Sequence, residues 1–303
     1  MSAHSHGHAS GASGDRRVIW AIGVNLLLTI AQVVGGIVSG SLSLVADAIH
    51  NLSDAMALVI AFVARRVARK PADEFMTWGY GRAEAVAALV NYTTLIVIGL
   101  YLVYEGVFRL FEPQPVGGWI VVAVAGLALA VDTATAVLTY ALSKRSMNIR
   151  AAFLHNVSDA LGSVGVIVAG TLIILYDWRI VDPIVTLMIA AYVLWQSFRE
   201  IGASIRLLMM GAPAGLDLRS LVADISAIEG VRAVYHIHAW TVTEETSAFE
   251  ARIVISDDHS PKDVREQVDS LLKERHGITH VSLAIERGQG SHGEHPVVGH
   301  RQE

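Results

Sequence analysis

Apolar positions along this chain fall into two regimes. Up to about residue 205 they form six long, nearly unbroken runs, at Val18–Ser39, Leu42–Ala64, Ala83–Phe108, Gly117–Leu142, Ile149–Leu175 and Ile180–Ile205. A helix of about 20 apolar residues crosses a hydrocarbon core about 30 Å thick, so each run predicts a membrane-spanning helix. The first run follows Arg16-Arg17, as the opening of a signal peptide would. It is too long for a signal h-region and a second run follows almost at once, so it reads as a retained helix. From about Ala212 the pattern changes. Leu216–Ile228 has helical spacing, and Val231–Thr243 and Ser247–Ser256 are rich in β-branched and aromatic residues. Ser260-Pro261 then opens an amphipathic helix to about Arg275, with Ser260 as its cap, and Ile278–Glu286 alternates as a strand.

This pattern predicts a membrane all-α six-helix bundle followed by a small α+β domain. The αββαβ order of the second part suits a ferredoxin-like, metallochaperone-like open-faced sandwich. The expected organisation is a His-containing tail at 1–16, a transmembrane domain at 17–210, a cytoplasmic domain at 211–288 and a second tail at 289–303. Both tails are rich in Gly, Ser and His and are expected to be disordered. Orientation follows from basic residues. Arg16, Arg17, Arg65, Arg66, Arg69, Lys70, Arg82, Lys144, Arg145 and Arg150 fall on one side, and only Arg109 and Arg179 on the other. The Arg-rich side is cytoplasmic, so both termini are expected there. The localisation that follows is an integral membrane protein, bacterial inner membrane being the first choice.

Composition agrees and narrows the chemistry. Of 303 residues 53% are hydrophobic and 17% charged, with mean hydropathy +0.47, which is too apolar for an ordinary soluble domain. A net charge of -5 gives no reason to expect a nucleic-acid partner. The chain has no cysteine, so disulfides and thiolate metal sites are excluded. No phosphate-binding Gly-x-x-x-x-Gly-Lys motif is present, which argues against an ATP-driven pump.

The strongest chemical signal is a repeat. His50-Asn51-Leu52-Ser53-Asp54-Ala55 in the second run returns as His155-Asn156-Val157-Ser158-Asp159-Ala160 in the fifth. Of the 13 histidines, only His50 and His155 lie in the apolar part, and each has an Asp four residues on. Such a pair shares one helix face. Imidazole and carboxylate are expensive in hydrocarbon and mark function there. Counted from their points of entry, the two pairs lie roughly 9–18 Å deep at 1.5 Å per residue, so they overlap near the midplane. His50, Asp54, His155 and Asp159 thus offer the four nitrogen and oxygen ligands of a tetrahedral divalent ion. Two neutral imidazoles and two carboxylates carry -2, which one zinc ion or two protons would neutralise, so metal and protons compete for one site. The alternative is that the pairs only hydrogen-bond helices together. Asp47, one turn before His50, reads either as an ion-path or supporting group, or as a helix-start residue. Asp132 reads as a proton group or as an interhelical hydrogen bond. Asn25, Gln32 and Asn91 read as helix–helix glue. His4, His6 and His8 either gather metal or belong to a plain flexible tail.

Certain motifs resemble those of the cation diffusion facilitator family of metal–proton antiporters. They are Ser41-Leu42-Ser43-Leu44-Val45-Ala46-Asp47-Ala48 leading into His50-x-x-x-Asp54, Gly79-Tyr80-Gly81-Arg82-Ala83-Glu84, His155-x-x-x-Asp159, Asp182-Pro183 and His236-x-His238-x-Trp240. The resemblance covers about Arg17 to Arg287. It implies a homodimeric exporter of a divalent metal from the cytoplasm in exchange for protons, with no prosthetic group and with Zn2+ as cargo. It also implies that His50, Asp54, His155 and Asp159 are the transport site, and that a His at position 50 favours zinc. Cobalt, nickel or cadmium export is the alternative within the family.

Two departures stand out. The stretch Ala72–Trp78 lacks the His that some relatives use for a metal site. Arg252 and Ala284-Ile285-Glu286 stand where some relatives have ligands of a binuclear cytoplasmic site. His236, His238, His259 and Glu286 remain as candidates for a weaker cytoplasmic metal site. Otherwise His238 packs in the sheet and the rest are solvated. Outside this class, an intramembrane zinc hydrolase would need an open coordination position and a general base. The chain lacks His-Glu-x-x-His, and four protein ligands leave no vacancy. An intramembrane metal sensor is the other reading.

Overall fold

A computed structural model describes residues 11–143, 147–243 and 246–288. Six long helices come first: α1 Gly11–Ser39, α2 Leu42–Ala68, α3 Ala83–Phe111, α4 Gly118–Ser143, α5 Met147–Tyr176 and α6 Val181–Leu208. Among the described residues, α2, α3, α6 and the stretches Gly118–Val137 and Asn156–Tyr176 are long and apolar enough to cross a membrane. The described apolar stretch of α1, Leu26–Ser39, is shorter. The terminal histidine segments 1–10 and 289–303 lie outside the described residues.

The chain divides into two compact units, residues 1–62 with 90–200 and residues 63–89 with 201–303. The first unit inverts the usual distribution of polarity. Leu27, Ile37, Phe62, Val137 and Leu161 face outward, while Ser43, Gln32, Asp47, Thr186 and Ser163 are buried. Without a hydrophobic drive between helices in lipid, close approach and polar contacts hold such a bundle. Close approach is visible at Gly36, where a Cβ would lie 2.6 Å from Val45 Cγ2. Gly126, by contrast, faces open space.

A buried carboxylate fixes the start of α2. The first backbone N–H groups of any helix lack intrahelical partners. Here Asp182, in the first turn of α6, accepts from Leu42 N at 2.8 Å and Ser43 N at 3.3 Å. It also accepts from Ser41 Oγ at 2.6 Å and Ser43 Oγ at 2.7 Å. One side chain therefore caps α2 from a neighbouring helix, and the helix dipole favours its negative charge there. The turn before α2 is tied to α3, where Arg109 Nη1 donates to Gly40 O at 2.7 Å.

In the second unit, α7 (Leu218–Ser226), β1 (Val231–Thr241), β2 (Ser247–Ile255), α8 (Pro261–His276) and β3 (His280–Arg287) form the expected αββαβ order. The sheet order is β1-β2-β3, with β1–β2 antiparallel and β2–β3 parallel. The antiparallel pair needs only a tight turn, whereas the parallel pair needs the α8 crossover. Phe249, Ala251, Ile253 and Leu283 point from one sheet face to Leu221 and Ile225 of α7 and Val264, Val268 and Leu272 of α8. His236 (φ 56) breaks the β1 ladder where the register shifts between Tyr235 and His238. That bulge returns Ile237 to the core face. Ser260 occupies the N-cap position of α8, but its side chain makes no capping bond. Pro261 starts the helix instead, and Gly277 (φ 65) ends it.

The α2–α3 connection belongs to this second unit. Asp73 Oδ1 accepts from Phe75 N at 2.9 Å and Met76 N at 2.8 Å, and its Oδ2 accepts from Tyr80 Oη at 2.8 Å. Trp78 packs edge-on against His280 at 4.8 Å and Trp240 at 6.1 Å. Arg82 donates to the carbonyls of Thr241 and Val242, each at 3.4 Å.

Candidate metal centre

His50 and Asp54 project from one face of α2, one turn apart, as their spacing requires. His50 Nε2 lies 3.7 Å from Asp54 Oδ2 and 3.5 Å from Asp159 Oδ1 of α5. One ligand atom from each of the three falls within 4.8 Å of the others. A tetrahedral zinc with bonds of about 2.0–2.1 Å has ligand–ligand edges of about 3.3 Å. The His50 separations match that edge closely, so an ion fits among the three with small side-chain movement. Among the described residues this is the one group of three or more His, Asp or Glu so arranged. His155 sits one turn before Asp159 on α5, and its side chain lies outside the described residues.

The centre is enclosed unevenly. The side chains of His50 and Asp159 are 10% and 8% exposed, while Asp54 is 31% exposed. Exposure is therefore greatest at Asp54, one turn further along α2 than His50. The His50 ring meets the edge of Tyr192 of α6, with centroids 6.0 Å apart. On the other side Asp47 is buried, and its Oδ2 accepts from Gln32 Nε2 at 2.7 Å. Gln32 Oε1 accepts in turn from Asn51 Nδ2 at 3.0 Å. Gln32 is thus interhelical glue, and Asp47 supports the same face as His50. Asp132 of α4 accepts from Ser163 of α5 at 3.5 Å, the interhelical bond rather than an isolated acid.

The cytoplasmic candidates do not converge within one protomer. His236 and His238 have ring centroids 5.1 Å apart. Glu286 instead engages Tyr235 Oη at 2.8 Å and Arg252 Nη1 at 3.4 Å. The register explains the separation. His238 pairs with Glu250 and Glu250 with Ser282, four residues before Glu286, or about 13 Å along a strand. His259 lies at the β2–α8 corner, where its Nδ1 contacts Ser256 Oγ and Asp258 Oδ1, each at 3.0 Å. The bond to His259 first, and then that to Ser256, hold the Asp258 carboxyl down at about 2.

Two contacts that fix the chain's elements had no local signal. Asp182 stands in a motif visible in the sequence and Trp78 just before one, but their partners lie 139 to 141 residues from Asp182 and in the distant strands β1 and β3 for Trp78.

A bundle of apolar helices with a buried His–carboxylate cluster defines an integral membrane protein that handles a metal cation. The sequence matches the cation efflux transmembrane domain over residues 18–209 and the cation efflux protein cytoplasmic domain over residues 213–287. The chain belongs to the cation diffusion facilitator family, whose members are transporters rather than enzymes. It is 34% identical to the zinc transporter ZitB of Escherichia coli, covering 98% of each chain. It is also 34% identical to a cadmium, cobalt and zinc/H(+)-K(+) antiporter of Bacillus velezensis, over 95% of this chain and 93% of the other. Identity to the metal cation efflux system protein CzcD of Cupriavidus metallidurans is 32%, over 93% and 89%.

Proposed function

We propose that this chain exports zinc from the cytoplasm in exchange for protons, through a tetrahedral site made by His50, Asp54, His155 and Asp159. The observation that carries the reading is the convergence of His50, Asp54 and Asp159 from α2 and α5 in the bundle interior. Two of the three ligands are nearly enclosed, and Asp54, the one nearest the Arg-rich end along α2, is the most exposed. In the proposed orientation, with both termini cytoplasmic in a bacterial inner membrane, this is an inward-accessible state. On the opposite side, Leu44, Val121, Ala125 and Val166 pack into a closed apolar cluster. Loading from the cytoplasm and closure to the outside are what an exporter needs before its outward step.

Zinc is favoured by the two imidazoles and by the zinc transporters among the relatives. Wider acceptance, including cadmium and cobalt, is the second reading, favoured by the antiporters of Bacillus. Domain limits at 17–210 and 211–288 and a homodimer through the cytoplasmic domain complete the proposal. The test is metal uptake into inside-out vesicles under an imposed pH gradient, comparing zinc, cadmium, cobalt and nickel in wild type and Asp159→Ala. Uptake of zinc that needs both the gradient and Asp159 supports the proposal. Folded wild type that moves no metal refutes it and leaves a sensory or structural role.

A further inference from the structure

One buried carboxylate beside the metal centre has no part in binding the ion as described so far. Asp47 is 3% exposed and precedes His50 by three residues, on nearly the same face of α2. Its Oδ2 is held by the Gln32 amide of α1 at 2.7 Å. Its Oδ1 is turned toward α5 at Gly162. A Cβ built on Gly162 would lie 3.3 Å from that oxygen, with no other atom within 4 Å. Gly162 follows Asp159 by three residues. Asp47 and Gly162 are therefore displaced from the ligands in one direction, toward the N-terminal end of α2 and the C-terminal end of α5. A further turn along α2 in that direction lies Leu44, fully buried with Val121, Ala125 and Val166.

A carboxylate is retained in hydrocarbon for a partner or a pathway. The Gln32 amide fixes one oxygen, and the other faces α5 close against Gly162, where the lack of a side chain lets it approach. The rise from residue 50 to residue 47 is about 4.5 Å, one step for an ion passing from one oxygen to the next. Sites that conduct must release as well as bind, and they do so through successive weaker stations.

We propose that Asp47 is the outer relay for the metal. On this view, which rests on the transport reading above, a divalent cation leaving His50 and Asp159 steps onto Asp47 beside Gly162. It then passes the apolar closure at Leu44 and Val166. Gln32 is the positioning residue that keeps Oδ1 turned to α5. The competing role, that Asp47 merely fastens α1 to α2, would show itself in stability rather than in the rate.

The experiment uses the full chain, with zinc binding measured calorimetrically in detergent and zinc transport measured in proteoliposomes. Asp47→Asn keeps the size and the acceptor for Gln32, and Gly162→Ala sets a methyl against Oδ1. Both are expected to slow transport about tenfold or more while zinc affinity stays within about threefold, the pattern of a group used only after binding. Asp47→Glu should recover part of the rate. Because the chain has no cysteine, Asp47→Cys adds a single thiol. Added cadmium should then give a cadmium–thiolate absorption band, absent from Ala46→Cys, whose side chain is buried toward α3 and α6. Wild-type transport by Asp47→Asn, a parallel loss of affinity and rate, or no band in folded Asp47→Cys would each overturn the proposal. If wild type itself bound no zinc, or bound it equally well as Asp159→Ala, the transport reading would fall instead.

Discussion

At the scale of single residues, the bundle concentrates its cost and its function in a few buried carboxylates. Asp182 is the clearest structural case, because four donors of the α2 start converge on it. Removing an acceptor leaves buried donors unsatisfied at about 1–3 kcal/mol each. Asp182→Ala should therefore destabilise by several kcal/mol, and Asp182→Asn by less, since one amide oxygen still accepts. Thermal unfolding of the detergent-solubilised chain measures the order, and equal stability of Ala and wild type would refute the cap. Asp159 is the functional case if the proposed transport site is right. Its loss removes one ligand outright and should weaken zinc binding beyond the about 10–100-fold typical of supporting groups. Calorimetric titration of Asp159→Ala checks it. The two kinds of carboxylate differ in legibility. Asp54 and Asp159 announce themselves, because each stands four residues after a histidine inside an apolar run and the unit occurs twice. Asp182 is more completely buried than either, but its partners are more than a hundred residues away, and no local spacing encodes a cap given by another helix.

At the scale of elements, the apolar runs and the αββαβ pattern matched the observed helices and strands to within a few residues at most ends. The reason is that membrane helices are set by length and hydropathy, and the soluble elements by period. Contacts between elements were less visible. Ser260 had the residue type and place of a cap, yet its side chain makes no capping bond. The sequence of the α2–α3 connection showed only that the His of a metal site was missing, but the connection is ordered by Asp73 and docked on the sheet through Trp78 and Arg82. An aromatic pair is worth about 0.5–1.5 kcal/mol beyond its burial. Trp78→Ala should therefore loosen residues 71–82 selectively, seen as faster proteolysis or amide exchange there with zinc binding unchanged. Unchanged exchange would mean that the loop is held by Asp73 and Arg82 without Trp78. The β2–α8 corner gives a pH expectation of defined sign. Asp258 is held at about 2, below its usual 3.8, so its bonds favour the folded corner above 3.8. That contribution is lost as pH falls through about 2. A carboxyl titration by NMR that placed Asp258 at or above 3.8 would contradict the His259 contact.

At the scale of the whole molecule, the charge of the proposed centre of His50, Asp54, His155 and Asp159 sets the form that the proposed metal–proton exchange would take. Two imidazoles and two carboxylates carry -2 when both histidines are neutral, and that charge sits where the surroundings cannot solvate it. An empty, fully deprotonated centre would therefore be the costliest state to carry across the membrane, because isolated ions lose several kcal/mol of solvation in a low-dielectric interior. One zinc ion cancels the charge, and so do two protons. Each half of the transport cycle then moves an overall neutral centre, and the transmembrane potential does no net work on it. Zinc export should accordingly follow the pH gradient and be insensitive to membrane voltage. In proteoliposomes loaded with a pH-sensitive dye, collapsing the pH gradient should stop zinc movement. Imposing a potassium diffusion potential at fixed pH should leave the initial rate unchanged within error. A rate that rises steeply with a potential favouring outward positive charge would mean fewer than two protons per zinc, and one that rises with the opposite potential more than two. The same measurement on Asp54→Asn sharpens the argument. With one carboxylate neutral, the loaded centre carries a charge that the wild type does not, so whatever transport survives should become voltage-sensitive. Voltage sensitivity appearing in the variant and absent from the wild type would tie the exchange ratio to the four side chains themselves.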